Sequence, residues 1–276
     1  MTEDTTTPRP VQLLERPEGR IAYDVAGSGP LVVCVPGMGE LRSSYRATVP
    51  ALVAAGFSVV TMDLRGHGDS DATFTSYDDV AAGGDVVALV EHLGGPAVLL
   101  GNSMGAGAAA LAAADRPDLV AGLVLLGAFV RNPQTSALKT LAFRALMGGP
   151  WAPRMWNAYL PSFYPGRRPE DFDAHRAEIV ASMRRPGHSR AFRRTTRTTH
   201  APVEARLDAV RAPVLVVMGE RDPDFADPAA EARWIADRLS GEALLLPGTG
   251  HYPQVEEPDV VNPAVVAFAR RVTARA

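Results

Sequence analysis

The chain of 276 residues has one cysteine, Cys34, and one lysine, Lys139. A lone cysteine excludes an internal disulfide and any cysteine-built metal cage. No apolar run approaches the ~20 residues that a membrane-spanning helix needs. The polar, threonine-rich start, residues 1–10, lacks the apolar stretch of an export signal. Together these gaps point to a cytoplasmic chain without a membrane span. A basic excess is missing too, since 28 Lys and Arg stand against 31 Asp and Glu for a net charge of −3. That balance argues against a dedicated nucleic-acid binder. What the chain does have is 46% hydrophobic and 21% charged residues, enough to bury a full core. Its length suits one large α/β domain or two modest ones.

The near-neutral total hides an uneven distribution. Residues 131–204 carry thirteen basic side chains, twelve of them arginine, against five acidic ones, a net of +8. The rest of the chain carries a net of −11. Surface charge is usually solvated, so the plain interpretation is solvated helix faces with salt bridges to the acidic body. The sharper one is a basic cover that draws in anionic substrates or an acidic partner.

Short β-rich runs recur along the chain. Residues 11–15 and 20–25 flank a Pro17-Glu18-Gly19 turn and read as a hairpin. Further strands are predicted at 31–35, 57–62, 97–100, 119–126, 213–218 and 243–246, most of them apolar throughout. Helices are predicted at 46–55, 80–93, 104–114, 229–239 and 263–272. Continuous apolar strands alternating with helices signify a mostly parallel sheet covered on both faces. The alternation breaks between 131 and 205, where helical segments with many aromatics hold no convincing strand. A helical insertion in one α/β domain explains this best, giving a core of 1–130 and 206–276 and an inserted cap of 131–205.

Gly101-Asn102-Ser103-Met104-Gly105 fits the G-x-S-x-G nucleophile elbow, with a strand before it and a helix directly after. The strained turn needs small residues around Ser103, and the helix N-terminus behind it favours developing negative charge. A serine hydroxyl also needs a base. Of six histidines, His251 alone combines a late glycine-rich loop, Gly248-Thr249-Gly250-His251, with the chain order Ser, Asp, His. His67, in Arg65-Gly66-His67-Gly68, reads as a structural histidine ordering a turn. The acid that holds the base in its tautomer is assigned to Asp222, at the end of the 213–218 strand. Glu220, Asp224 and Asp227 compete with it, while the loop 127–130 offers no carboxylate. Backbone N–H groups can serve as an oxyanion hole without particular side chains. Met104, after the nucleophile, and Met38, in Pro36-Gly37-Met38-Gly39, are the candidates.

These features resemble the α/β-hydrolase family over nearly the whole chain. The carriers are Asp63-Leu64-Arg65-Gly66-His67-Gly68-Asp69-Ser70, the elbow at Ser103, Asp222 in Gly-x-x-Asp, and His251 in Gly-x-Gly-His. The resemblance implies an eight-stranded, mostly parallel sheet flanked by helices, with a helical cap inserted after the sixth strand. It implies a serine hydrolase needing no cofactor or metal and acting on a small molecule through an ester, lactone or related acyl or C–C bond. Many relatives have His-Gly where this chain has Pro36-Gly37, and Ser103 departs from the branches that use an aspartate nucleophile. A ligand-binding or signalling protein, or an acyltransferase or perhydrolase, could share the same residues. A dinucleotide site can also be built from Gly37-x-Gly39 and Asp63, but Arg42 stands where its third glycine belongs. Gly37, Asn102, Phe129, Trp151 and Trp156 are the candidate pocket residues, and the aromatics and methionines of the insertion suggest a largely apolar pocket.

Overall fold

The computed structural model describes residues 10–133 and 137–274, so the polar start at 1–9 lies outside the described residues. All eight predicted strands form: β1 (Gln12–Arg16), β2 (Gly19–Ala26), β3 (Leu31–Val35), β4 (Ser58–Met62), β5 (Ala97–Asn102), β6 (Val120–Leu126), β7 (Val214–Gly219) and β8 (Glu242–Leu246). They make one sheet in the order β1-β2-β4-β3-β5-β6-β7-β8. The β1–β2 and β2–β4 pairs are antiparallel, and every other pair is parallel.

The helices are α1 (Val49–Ala54), α2 (Asp79–His92), α3 (Met104–Asp115), α4 (Ala137–Met147), α5 (Ala152–Tyr159), α6 (Phe172–Met183), α7 (His188–Thr195), α8 (Ala201–Glu204), α9 (Pro228–Arg238), α10 (Pro253–Glu256) and α11 (Pro258–Thr273). Asp78 and Asp227 cap α2 and α9, each accepting a backbone N–H three residues on at 2.9 Å, which satisfies a donor the helix leaves open. Two helix starts differ from expectation. The run 46–55 yields only α1, with Pro50 in its first turn, while Arg42–Tyr45 makes a separate tight turn. Pro258, not Pro263, opens α11. Pro263 sits inside because the buried stripe Val261, Val265, Phe268, Ala269 and Val272 outweighs the single hydrogen bond it forfeits.

The strands are apolar throughout because both sheet faces are covered. On one face Val33, Val35 and Leu99 pack against Val86, Leu89 and the alanine-rich α3. On the other, Val32, Cys34, Val98 and Leu100 meet Leu52 of α1 and Val265 and Phe268 of α11. Between β6 and β7 the described residues form α4 to α8 and no strand, and β7 returns beside β6 with Val214 opposite Leu123. These inserted helices have a core of their own, in which Trp156, Phe163, Ile179 and Phe192 pack with Tyr252 and Val255 of the body. No helix among the described residues is long and apolar enough to cross a membrane.

Candidate active site

In a parallel sheet the loops leaving the carboxyl ends of neighbouring strands meet along one edge. Those after β3, β5, β7 and β8 carry the loop at Met38, Ser103, Asp222 and His251. Ser103 has φ 56° and ψ −124°, a region sparsely open to residues with a Cβ and worth of order 1–3 kcal/mol of strain. The end of β6 holds it there: Ser103 N–H donates to the Leu126 carbonyl at 2.9 Å, and Phe129 N–H donates to the Ser103 carbonyl at 3.3 Å. A Cβ at Gly101 would collide with the Gly105 carbonyl, and one at Gly105 with the Val35 carbonyl. The elbow therefore requires both glycines.

His251 Nδ1–H donates to Asp222 Oδ2 at 2.6 Å, with both side chains almost wholly buried. Burial by itself would lower the imidazole's pKa. Asp222, with Asp224 and Glu256 farther off, overturns that and lifts it to about 9. Asp227 is spent on capping α9 and Glu220 is exposed. Asp224 lies on the other side of the ring, with Oδ2 4.0 Å from His251 Nε2. Its carboxyl is raised to about 6, by burial first, with Asp222 adding to the rise and His251 opposing it. Asp224 N–H donates to Asp222 Oδ1 at 3.0 Å, and Tyr159 OH of α5 donates to Asp224 Oδ1 at 3.2 Å. Asp222, Asp224 and His251 each bring one ligand atom within 4.8 Å of the others. A metal ion there would have to compete with the Asp222–His251 hydrogen bond.

Asn102, expected to line a pocket, does something else. It is fully buried, and its Nδ2 donates to the carbonyls of Leu126 and His251, each at 3.1 Å. It staples the loop bearing His251 to the end of β5, next to Ser103. Trp151 is a second correction, for it is 48% exposed and its indole N–H is bound to the Leu146 carbonyl. Pro153 lies in the first turn of α5, and Trp151 caps that helix on the solvent side. Trp156, five residues later and therefore on another side of α5, is 3% exposed and donates to the Gly39 carbonyl at 3.0 Å. Gly39 has φ 71°, and a Cβ there would strike the Trp156 ring. Phe129 lies 5.9 Å from the His251 ring and 4.8 Å from Phe225, centroid to centroid. Gly37 abuts the elbow, its missing Cβ 2.8 Å from that of Ser103.

The loop after β3 is held by residues outside the expected set. Gly39 N–H donates to His67 Nε2 at 3.0 Å while His67 Nδ1–H donates to the Arg65 carbonyl at 3.0 Å. This needs a neutral ring, and burial lowers its pKa to about 4. His67 thus orders the loop that carries Met38, beyond its own turn. Glu40 N–H donates to the Gly37 carbonyl, so neither contact engages the Met38 N–H. The Met104 N–H opens α3, where no preceding helical carbonyl is available. Buried Glu40 also meets His175 of α6, Oε2 to Nε2, at 2.8 Å, and His200 meets Asp79 at 2.6 Å. Glu256 accepts N–H groups of Gly250 and Gly166, clamping the histidine loop. Scattered carboxylates and histidines offer no sequence signal for such pairings.

Arg42 answers the dinucleotide alternative. It pairs with Asp24, Asp63 and Asp69, and Asp63 is fully buried, which closes the acid that a ribose would need. The basic insertion is partly neutralised by the body, through Arg131–Glu231, Arg185–Asp69 and the distant Arg167–Asp259. The side chain of Lys139 lies outside the described residues.

The sheet order, the elbow and the histidine loop define an α/β hydrolase, and residues 32–264 match the sequence model of the alpha/beta hydrolase family. The chain belongs to that family of enzymes. It is 30% identical to the 2-(acetamidomethylene)succinate hydrolase of Mesorhizobium japonicum, over 91% of this chain and 92% of that one. Among solved structures, Est816, described as an N-acyl homoserine lactone degrading enzyme, superposes with a TM-score of 0.78 at 25% identity, covering 93% of this chain and 100% of that one. A thermophilic esterase from Thermogutta terrifontis also gives 0.78 at 25% identity, covering 96% and 99%.

Proposed function

We propose that the chain is a serine hydrolase that cleaves an ester, lactone or related acyl bond of a small, largely apolar substrate. One observation carries this reading: Ser103 in its strained elbow shares a sheet edge with the buried Asp222–His251 pair, 2.6 Å apart. Ser103 Oγ attacks the carbonyl carbon and gives its proton to His251 Nε2. Asp222 holds the Nδ1–H and stabilises the imidazolium. The N–H groups of Met38 and Met104 receive the oxyanion, and a donor of this kind is typically worth about 3 kcal/mol. Nε2 then protonates the leaving group, and water resolves the acyl-enzyme. Phe129, Phe163 and Trp156 supply the apolar walls, Phe163 lying 5.0 Å from the His251 ring. The lactone named for Est816 and the description of the Thermogutta terrifontis protein as an esterase support the class of bond. A fluorophosphonate probe should label Ser103 alone, and Ser103→Ala should abolish both labelling and p-nitrophenyl ester turnover. Labelling at another residue overturns the reading.

A further inference from the structure

The two carboxylates beside His251 are not equivalent. Asp222 is closed to solvent and faces Nδ1, whereas Asp224 is 22% exposed and faces Nε2, the nitrogen that exchanges protons with the reacting groups. Asp224 is also held in place from both sides. Its backbone N–H is bound to Asp222 Oδ1, the same carboxylate whose other oxygen orients His251, and its Oδ1 is taken by Tyr159 OH. Oδ2 is left as the acceptor toward the site. Two acceptors 4.0 Å apart can share one oxygen at ordinary hydrogen-bond lengths of about 2.8 Å from each, with an angle of roughly 90° at that oxygen. Water, with two O–H donors, can satisfy both. An alcohol, with one, cannot.

We propose that Asp224, steadied by Tyr159, is a positioning residue that seats the hydrolytic water on His251 Nε2 and thereby selects water over alcohols as acyl acceptor. The idea rests on the serine-hydrolase reading above. In the step it governs, the water oxygen attacks the acyl carbon of the Ser103 ester while one water proton moves to Nε2. The second water proton stays on the oxygen and donates to Asp224 Oδ2. The carbon–Oγ bond then breaks, Oγ recovers the proton from Nε2, and the acyl group leaves as the free acid. Nothing is oxidised or reduced. Because Tyr159 belongs to the inserted helices and Asp224 to the sheet side, the water seat is complete only when the two are packed together.

The test is the partition of a p-nitrophenyl butyrate acyl group between water and added methanol, read as the ratio of methyl ester to free acid. That ratio is set after acylation and does not depend on which step limits turnover. Asp224→Ala should raise it about tenfold or more, the scale of a misplaced reacting group. Asp224→Asn, which keeps the shape and one oxygen acceptor, should fall between Asp224→Ala and the wild type, and Tyr159→Phe should shift the ratio in the same direction by less. An unchanged ratio in both Asp224 variants overturns the proposal, as does a parallel loss of p-nitrophenol release and hydrolysis at constant ratio. Failure of Ser103 to acylate at all would instead overturn the serine reading, so the two failures are distinguishable.

Discussion

On the sheet side of the site, position is set through the backbone. Ser103 is pinned by main-chain bonds to Leu126 and Phe129, and backbone groups of the His251 loop are held by the side chains of Asn102 and Glu256. On the side of the inserted helices one backbone bond reaches the site, His251 N–H to the Phe163 carbonyl at 3.0 Å, and the other contacts are ring packing and single side-chain bonds, such as Trp156 to Gly39, Tyr159 to Asp224 and His175 to Glu40. Backbone bonds between parallel strand ends survive changes of side chain, so the sheet edge can keep reacting atoms in register. Side-chain contacts change with every substitution, so the insertion is the part able to alter what reaches those atoms. On the proposed reading the site divides into a face that holds the chemistry and a face that shapes access to it.

Substitutions on the two faces should therefore fail differently. The largest effect belongs to the sheet edge: Asp222→Asn should lower kcat by about 10⁴-fold, since the imidazole loses its tautomer and its counter-charge, with little change in KM for a p-nitrophenyl ester series. A comparable rise in KM would break the division. Trp156→Ala, on the insertion, should cost about 3–5 kcal/mol in denaturant unfolding, leave the Gly39 carbonyl without its donor, and raise KM more than it lowers kcat.

The pH dependence gives a third comparison. In the proposed mechanism only neutral imidazole can accept the Ser103 proton, and the carboxylates around His251 hold its pKa at about 9. Activity as kcat/KM should accordingly climb with pH through neutrality and level off above about 9. The charged and titratable groups facing the ring are Asp222 and Asp224 from the loop after β7, Glu256 from α10, and Tyr159 of α5 through Asp224. Removing one negative charge with Asp224→Asn should move that limb to lower pH, and a limb that stays put contradicts the assignment. The smallest effect is expected at exposed Trp151, where Ala should change stability by no more than about 0.5 kcal/mol beyond its hydrogen bond to Leu146 and leave kcat/KM as it was.

Much of this was legible in the chain. The strands could be read because burial on both faces demands unbroken apolar runs, and the elbow because Gly101 and Gly105 are forced by close backbone approach around Ser103. Asp222 and His251 lie in the loops after β7 and β8 where they were expected, joined by a hydrogen bond. Trp151 and Trp156 could not be told apart, since five residues separate an exposed helix cap from a buried ring and only the packing of α5 decides which is which. Asn102 read as a pocket residue because its partners, the carbonyls of Leu126 and His251, are remote in sequence.

The sequence by itself determined the sheet and the elbow turn at Ser103, because strand burial and turn sterics are local and leave marks on consecutive residues. Its single cysteine removed internal disulfides and cysteine metal cages from consideration at once. The tertiary structure alone decided that His67 steadies the loop after β3, that Glu40 and Asp79 find histidines of the insertion, and that Asp224 faces the reactive nitrogen of His251. Those are pairings between polar groups far apart in the chain, and a buried polar group has no partner written into its own neighbourhood. The fold must first bring the partner to it.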